Sequence, residues 1–218
     1  STPIKSSAAS DVYKRQDHIL GAIWIVRMVI QRMKKGEYNG TFTIYSHDKA
    51  LKVLESVCHM TLPEKDLSFL GKSIFLREVK DSDMFCIDNI KFQCFDILST
   101  KEKQFGFCAQ LANGIKVVCL GDEPYNERNR TYVENADWLL CEAFCLYEER
   151  DIFKPYEKHH STALEAGILA NKLNVKNLLL YHTEDKNLKT RKSSYSKEAS
   201  QYFQGNVFVP NDLEIIHF

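Results

Sequence analysis

Aspartate and histidine, residue types that hold metal ions, recur in four short and widely separated stretches of this chain. Asp17-His18 opens a long apolar segment. Gly121-Asp122-Glu123-Pro124, His159-His160-Ser161-Thr162 and Leu180-Tyr181-His182-Thr183 follow it. A hydrolytic metal site needs hard oxygen and imidazole donors from several elements, because no single element surrounds an ion. Adjacent Asp-His at a helix start can aim two donors into one cleft. Asp122 comes just after Ile115-Lys116-Val117-Val118-Cys119-Leu120, an apolar run closed by Gly121, so it reads as a carboxylate emerging at a strand's end. His182 ends the similar run Val175-Lys176-Asn177-Leu178-Leu179-Leu180-Tyr181. Donors at the carboxyl ends of strands gather at one edge of a sheet, where open α/β folds place their sites. Taken singly, Asp17 reads as a helix cap and His182 as a core histidine.

Taken in order, the four stretches resemble the metallo-β-lactamase superfamily, and most of all its ribonuclease Z branch. The resemblance implies metal-assisted hydrolysis of a phosphodiester or similar ester. It also implies a metal set of Asp17, His18, Asp122 and His182, with Asp122 the residue that bridges two metals in relatives. Zn2+ is the expected ion, with Mn2+ as an alternative. The His-Ser-Thr signature aligns with His160-Ser161-Thr162 and implies that His160 is a general acid for the leaving oxygen, a role imidazole suits because it titrates near neutrality. Leu140-Cys141-Glu142-Ala143-Phe144 resembles the family's His-Glu-Ala-Thr stretch, which implies that Glu142 orients His160 from behind. Asp17 is counted with the catalytic residues as well as the ligands.

The departures from the family pattern are equally specific. The family's first motif reads His-x-His-x-Asp-His, and here Tyr13 and Arg15 stand where its two leading histidines belong. A further family histidine, at the end of a strand before a hairpin, is replaced by Leu98. Leucine cannot donate to a metal. The expectation is therefore one metal rather than two, and impaired chemistry.

These motifs need a scaffold, and the sequence patterns supply one. Residues 17–35 read as a helix that is apolar on nearly every face and therefore deeply buried. A strand at 41–45 and a helix at 47–59 follow. Strands are expected at 73–79, 84–87, 91–97, 104–111, 115–120 and 138–141, with Asn113-Gly114 as a hairpin signal between the fourth and fifth. A helix at 161–173 starts from Ser161-Thr162 as its cap. A last helix spans 187–203, and 207–209 and 213–216 close the chain. Strands mixed with helices that return to cover them fit an α/β (α+β) chain forming a four-layer αββα sandwich. Residues 1–16 carry no apolar period and read as a non-native or disordered leader. They are joined to an incomplete domain at 17–218 that lacks part of the first half of the fold.

Composition sets wider limits. The 218 residues, 44% of them hydrophobic, suffice for a real core. With 29 basic and 29 acidic side chains there is no overall electrostatic footprint for a polyanion. Seven cysteines without compact spacing argue for reduced, buried thiols and a cytoplasmic location. No signal peptide is expected from this reading, and the apolar stretch at 19–30 is too short to span a bilayer. The chain has room only for a hairpin between Leu98 and Asp122, where ribonuclease Z carries a long arm that grips transfer RNA. A small phosphodiester is thus the expected substrate, with nucleic acid not favoured, no membrane partner and a homodimer left open. Two alternatives stand beside this reading. One is a degenerate, non-catalytic metal-binding module. The other is a ribonuclease Z-like RNA endonuclease, which would need an exposed basic patch such as Lys186, Lys189, Arg191 and Lys192.

Overall fold

A computed structural model describes residues 16–184 and 186–218, with side chains from Ile19 onward. The leader expected at residues 1–16 lies outside the described residues except for Gln16, which begins the first helix. The chain divides into two compact units. One comprises the chain up to Asp81 together with Lys101–Phe105, the other Ser82–Thr100 together with Gly106–Phe218.

The first unit contains α1 (Gln16–Lys34), β1 (Phe42–Ser46), α2 (Asp48–Thr61), α3 (Glu64–Leu67) and β2 (Ile74–Glu78). β1 and β2 run parallel, with Phe42 opposite Ile74 and Ser46 opposite Glu78. Only one stripe of α1 is buried. Ile19, Ala22, Val26 and Ile30 recur at helical spacing and pack with Ala50, Leu54 and Cys58 of α2 and Ile74 of β2. Trp24 and Met28 stay 61% and 56% exposed. The expected burial on nearly every face is therefore not observed, because side chains four apart share one row and only that row meets α2 and β2. The short α3 was not anticipated, since four residues are too few to show a period.

The second unit is built on a seven-stranded mixed sheet. Its strands are β3 (Met84–Ile87), β4 (Ile90–Asp96), β5 (Phe105–Gln110), β6 (Lys116–Cys119), β7 (Trp138–Glu142), β8 (Asn177–Tyr181) and β9 (Asn206–Phe208), neighbours in that order. β3 and β4 form an antiparallel pair, as do β5 and β6. The β5–β6 turn is the expected Asn-Gly hairpin. Gly114 takes φ +84°, and the Asn113 side chain accepts from the Ile115 N–H.

From β6 to β9 every pairing is parallel. Parallel neighbours need crossovers, and helices supply two of them. α6 (Ala163–Lys172) joins β7 to β8, and α7 (Leu188–Ala199) joins β8 to β9. Two shorter helices, α4 (Arg130–Val133) and α5 (Arg150–Phe153), lie in the loops after β6 and β7. A strand in the midst of such a sheet reads as a continuous apolar run, as Trp138-Leu139-Leu140-Cys141 and Leu178-Leu179-Leu180 do. Leu139, Leu178 and Leu180 are at most 1% exposed and share one core with Phe95, Val118, Ala166 and Leu173. α6 starts at a complete capping box. The Thr162 side chain accepts from the Glu165 N–H while the Glu165 carboxylate accepts from the Thr162 N–H.

The seven cysteines are free thiols. Cys86 is exposed rather than buried, since it lies on the edge strand β3, whereas burial pushes the Cys94 thiol up to about 11 and Cys145 up to about 12. No helix of the described residues is long and apolar enough to cross a membrane.

Gly167 marks the tightest helix contact. A methyl group there would collide with the backbone of Ala199, where α6 meets α7. Gly21 on α1 has open space around it. Gly167→Ala should destabilise the chain by about 1–3 kcal/mol through overpacking. Gly21→Ala should stabilise it by up to about 1 kcal/mol through helix propensity. Denaturant titration of both variants checks the pair; equal effects would contradict the α6–α7 close approach.

Candidate metal centre

The parallel register of β6, β7 and β8 brings three chain segments to one edge. Cys119 lies opposite Leu140, and Glu142 opposite Tyr181, so the loops after these strands leave side by side. β6 ends in Leu120-Gly121, and Gly121 adopts φ +82°, which only glycine takes without strain. That turn presents Asp122, 1% exposed. β8 delivers His182, whose own φ of +54° turns the chain out of the strand. The Tyr181 hydroxyl donates to the Gly121 carbonyl and ties the two strand ends together.

Around that edge two imidazoles and a carboxylate converge. One ligand atom each from Asp122, His160 and His182 lies within 4.8 Å of the others. His182 Nδ1 is 3.2 Å from Asp122 Oδ1, and the His160 and His182 ring centroids are 4.7 Å apart. His160 is 4% exposed and is held from several sides. Its backbone N–H donates to the Pro155 carbonyl at 2.9 Å. Glu142, fully buried at the end of β7, sets Oε2 3.5 Å from His160 Nδ1, an electrostatic contact too long for a good hydrogen bond. The other Glu142 oxygen accepts from the Ser161 N–H at 2.6 Å, and the Ser161 hydroxyl donates to the Glu142 carbonyl at 3.1 Å. Glu142 thereby fixes the backbone on one side of His160 while facing its ring on the other.

Phe144 supports both imidazoles. Its ring stacks on His160 at 5.1 Å and 23°, and lies tilted against His182 at 5.9 Å. The Lys158 ammonium sits 4.7 Å from the same ring centroid. Sequence reasoning did not single out Phe144 for a role. The signal was present, because an aromatic ring stands where the resembling His-Glu-Ala-Thr stretch has threonine.

Of the residues expected at the site, the structure brings together Asp122, His182, His160 and Glu142. Asp17 and His18 stand in the first turn of α1, in the other unit, and their side chains lie outside the described residues. His160 was expected as a proton donor beside the metal, and one of its ring nitrogens lies within 4.8 Å of a donor atom of each of the other two residues. Because Nδ1 faces Glu142, one ring nitrogen remains, and it can serve an ion or a leaving oxygen but not both at once. Leu98, at the position where a family histidine was expected, takes φ +61° and lies 38% exposed on the loop after β4.

The donors fit a zinc-like ion. Two imidazoles and one carboxylate are three ligands of the kinds zinc takes, and three protein ligands leave a coordination position open. The buried carboxylate behind one histidine is the usual support for such a ligand.

No protein-family profile matches the chain. In sequence it is 33% identical over 106 residues to ribonuclease Z of Thermococcus onnurineus, a stretch covering 48% of this chain and 32% of that protein. The chain therefore matches about a third of the length of such relatives. In structure it is similar to the metallo-β-lactamase fold protein YhfI of Bacillus subtilis, with a TM-score of 0.72 and 18% identity over 92% of this chain and 73% of that one. Human tRNase Z, short form, superposes with a TM-score of 0.67 and 16% identity, over 95% of this chain and 77% of that one. A mixed seven-stranded sheet with donors at its carboxyl edge, together with these structural matches, defines the metallo-β-lactamase fold.

Glu142 provides the test of this geometry. Glu142→Gln keeps an acceptor for the Ser161 N–H but removes the charge facing His160, so zinc affinity should fall about 10–100-fold while the fold persists. Glu142→Ala should in addition cost about 1–3 kcal/mol, because it strands a backbone donor. Zinc titration with a competing chromophoric chelator, alongside thermal melts, separates the two effects. Unchanged affinity in Glu142→Gln would remove Glu142 from the site.

Proposed function

We propose that the chain is a metal-dependent hydrolase, and that its substrate is a small phosphodiester. The observation that carries this reading is the convergence of Asp122, His160 and His182 with Glu142 behind them. Similarity to ribonuclease Z supports a phosphodiester over other esters. Asp122, His160 and His182 would hold the ion, and a divalent ion there supplies Lewis acidity toward a phosphoryl oxygen and makes water a better nucleophile. Each residue then has a defined task. Asp122 contributes negative charge that balances the ion. Glu142 keeps the His160 ring in one orientation and favours the proton on Nδ1, which leaves Nε2 as the donor. Phe144 covers one side of both imidazoles and keeps water from that side.

The ribonuclease Z similarity favours one second reading, an RNA substrate. The basic cluster that this reading would call on is largely engaged elsewhere. Arg191 is 6% exposed and donates to the Pro210 carbonyl, Lys192 pairs with Glu214 at 2.7 Å, and Lys186 lies over the Phe153 ring. An RNA-binding face needs cations free to release counterions from phosphates, so the small phosphodiester is preferred.

The purified chain should hydrolyse bis(p-nitrophenyl) phosphate when supplied with zinc or manganese, and lose that activity to a chelator. Asp122→Ala and His182→Ala should each lower kcat/KM by at least about 100-fold, as loss of a ligand implies. Turnover insensitive to the chelator and to both variants would reject the proposal. Tight metal binding with no turnover would favour the non-catalytic module.

A further inference from the structure

Beside His160 the second unit opens a cavity of about 260 Å³, a volume below the roughly 300–1,000 Å³ of pockets for drug-sized ligands. Leu98, Pro124, Tyr125, Tyr156, His159 and His160 are among the residues that line it. The tyrosines and histidines offer rings, Leu98 and Pro124 offer apolar surface, and Thr100, Glu123 and Asn126 add polar groups to the wall. The Tyr125 hydroxyl is buried, so what this residue presents to an occupant is ring surface. The Tyr156 hydroxyl donates to Glu165 at 3.0 Å, which again leaves the ring.

Charge narrows the occupant further. Among the described residues that line the cavity none is lysine or arginine, and one is Glu123, 5% exposed. Glu123 receives the Ser99 hydroxyl at 2.7 Å and the Thr100 N–H at 3.2 Å, which hold its carboxylate in place at the wall. A second phosphate or an extended polyanion would meet that carboxylate with nothing to offset it. A neutral, flat group fits.

Leu98, beside Ile97, contributes to the apolar wall of the cavity at the loop after β4. It holds a left-handed backbone at φ +61°, an outlier for a branched aliphatic residue. Its N–H donates to Asp96 Oδ1 at 2.7 Å, and the Asp96 carbonyl accepts from the Asn129 side chain at 3.0 Å, so the loop is tied down in that conformation. Opposite, the His159 ring lies 3.3 Å from the Thr100 hydroxyl. A strained leucine lining a cavity next to His160 is a feature that folding alone does not call for.

We propose that this cavity is the leaving-group subsite of the hydrolase, that it takes a neutral aromatic ring carried on the ester oxygen, and that Leu98 sets this specificity. The proposal rests on the phosphodiesterase reading above. It also gives Leu98 a function in place of the metal donor expected at that position: it becomes the wall against which the ring packs.

Calorimetric titration of the zinc-loaded chain with phenyl phosphate, methyl phosphate and inorganic phosphate tests the subsite without turnover. Phenyl phosphate should bind at least about tenfold more tightly than methyl phosphate, because only it buries a ring. In Leu98→Asp the preference should shrink to within about twofold, since a charge then faces the ring, while affinity for inorganic phosphate holds. Leu98→Gly, which suits the left-handed backbone and keeps the fold, should also weaken the preference. Equal binding of the two esters, or a preference that survives both substitutions, overturns the subsite and leaves the hydrolase reading intact. Failure of all three phosphates to bind the zinc-loaded chain would overturn the hydrolase reading, and the subsite with it.

Discussion

The parallel register of β6, β7 and β8 is the constraint on which the candidate centre depends. Donors from three separate loops can meet only if the strands that carry them end at the same level. The pairing of Cys119 with Leu140 and of Glu142 with Tyr181 sets that level. A slip of one residue would turn Glu142 to the other face of the sheet and remove the group behind His160. The register is held where burial is most complete, by Leu139, Leu178 and Leu180 packed against α6. The Tyr181 hydroxyl on the Gly121 carbonyl locks the last step, next to Asp122 and His182. The apolar core thus acts on function through alignment, since none of its leucines has any chemistry of its own.

Three strained backbones lie near the same edge. His182, His159 and Leu98 all hold positive φ without being glycine. Each such residue costs roughly 1–3 kcal/mol and persists only where its surroundings over-determine it. Here the surroundings are identifiable. Asp96 and Asn129 fix the Leu98 loop, Thr100 contacts His159, and the Phe144 ring packs against His182. These three bent backbones border the cavity or the donors.

Much of this was legible in the sequence, and the part that was not has physical causes. Apolar runs located β6 and β8, and with them Asp122 and His182, because a strand within a parallel sheet writes its burial into consecutive residues. Asn113-Gly114 specified its hairpin by backbone requirement alone. Ser161-Thr162 declared the start of α6, since capping is a local interaction, and the structure adds Glu165 as the other half of the box. The exposure of Trp24 and Met28 was missed because composition was read ahead of period. His160 was placed near the centre, whereas its task there turns on which ring nitrogen faces the other donors, which depends on Glu142, 18 residues away in sequence. The Leu98 wall could not be read at all. A positive φ and a cavity arise from loops that meet only in three dimensions.

Asp122, His160 and His182 are proposed to hold one ion. X-ray absorption at the zinc edge, on the chain loaded with one equivalent of zinc, tests it most directly. Two imidazole ligands at about 2.0–2.1 Å are expected together with oxygen donors. The imidazole count should fall from two to one in either His160→Ala or His182→Ala. A zinc environment with no imidazole, or one unchanged by both substitutions, would contradict the assignment.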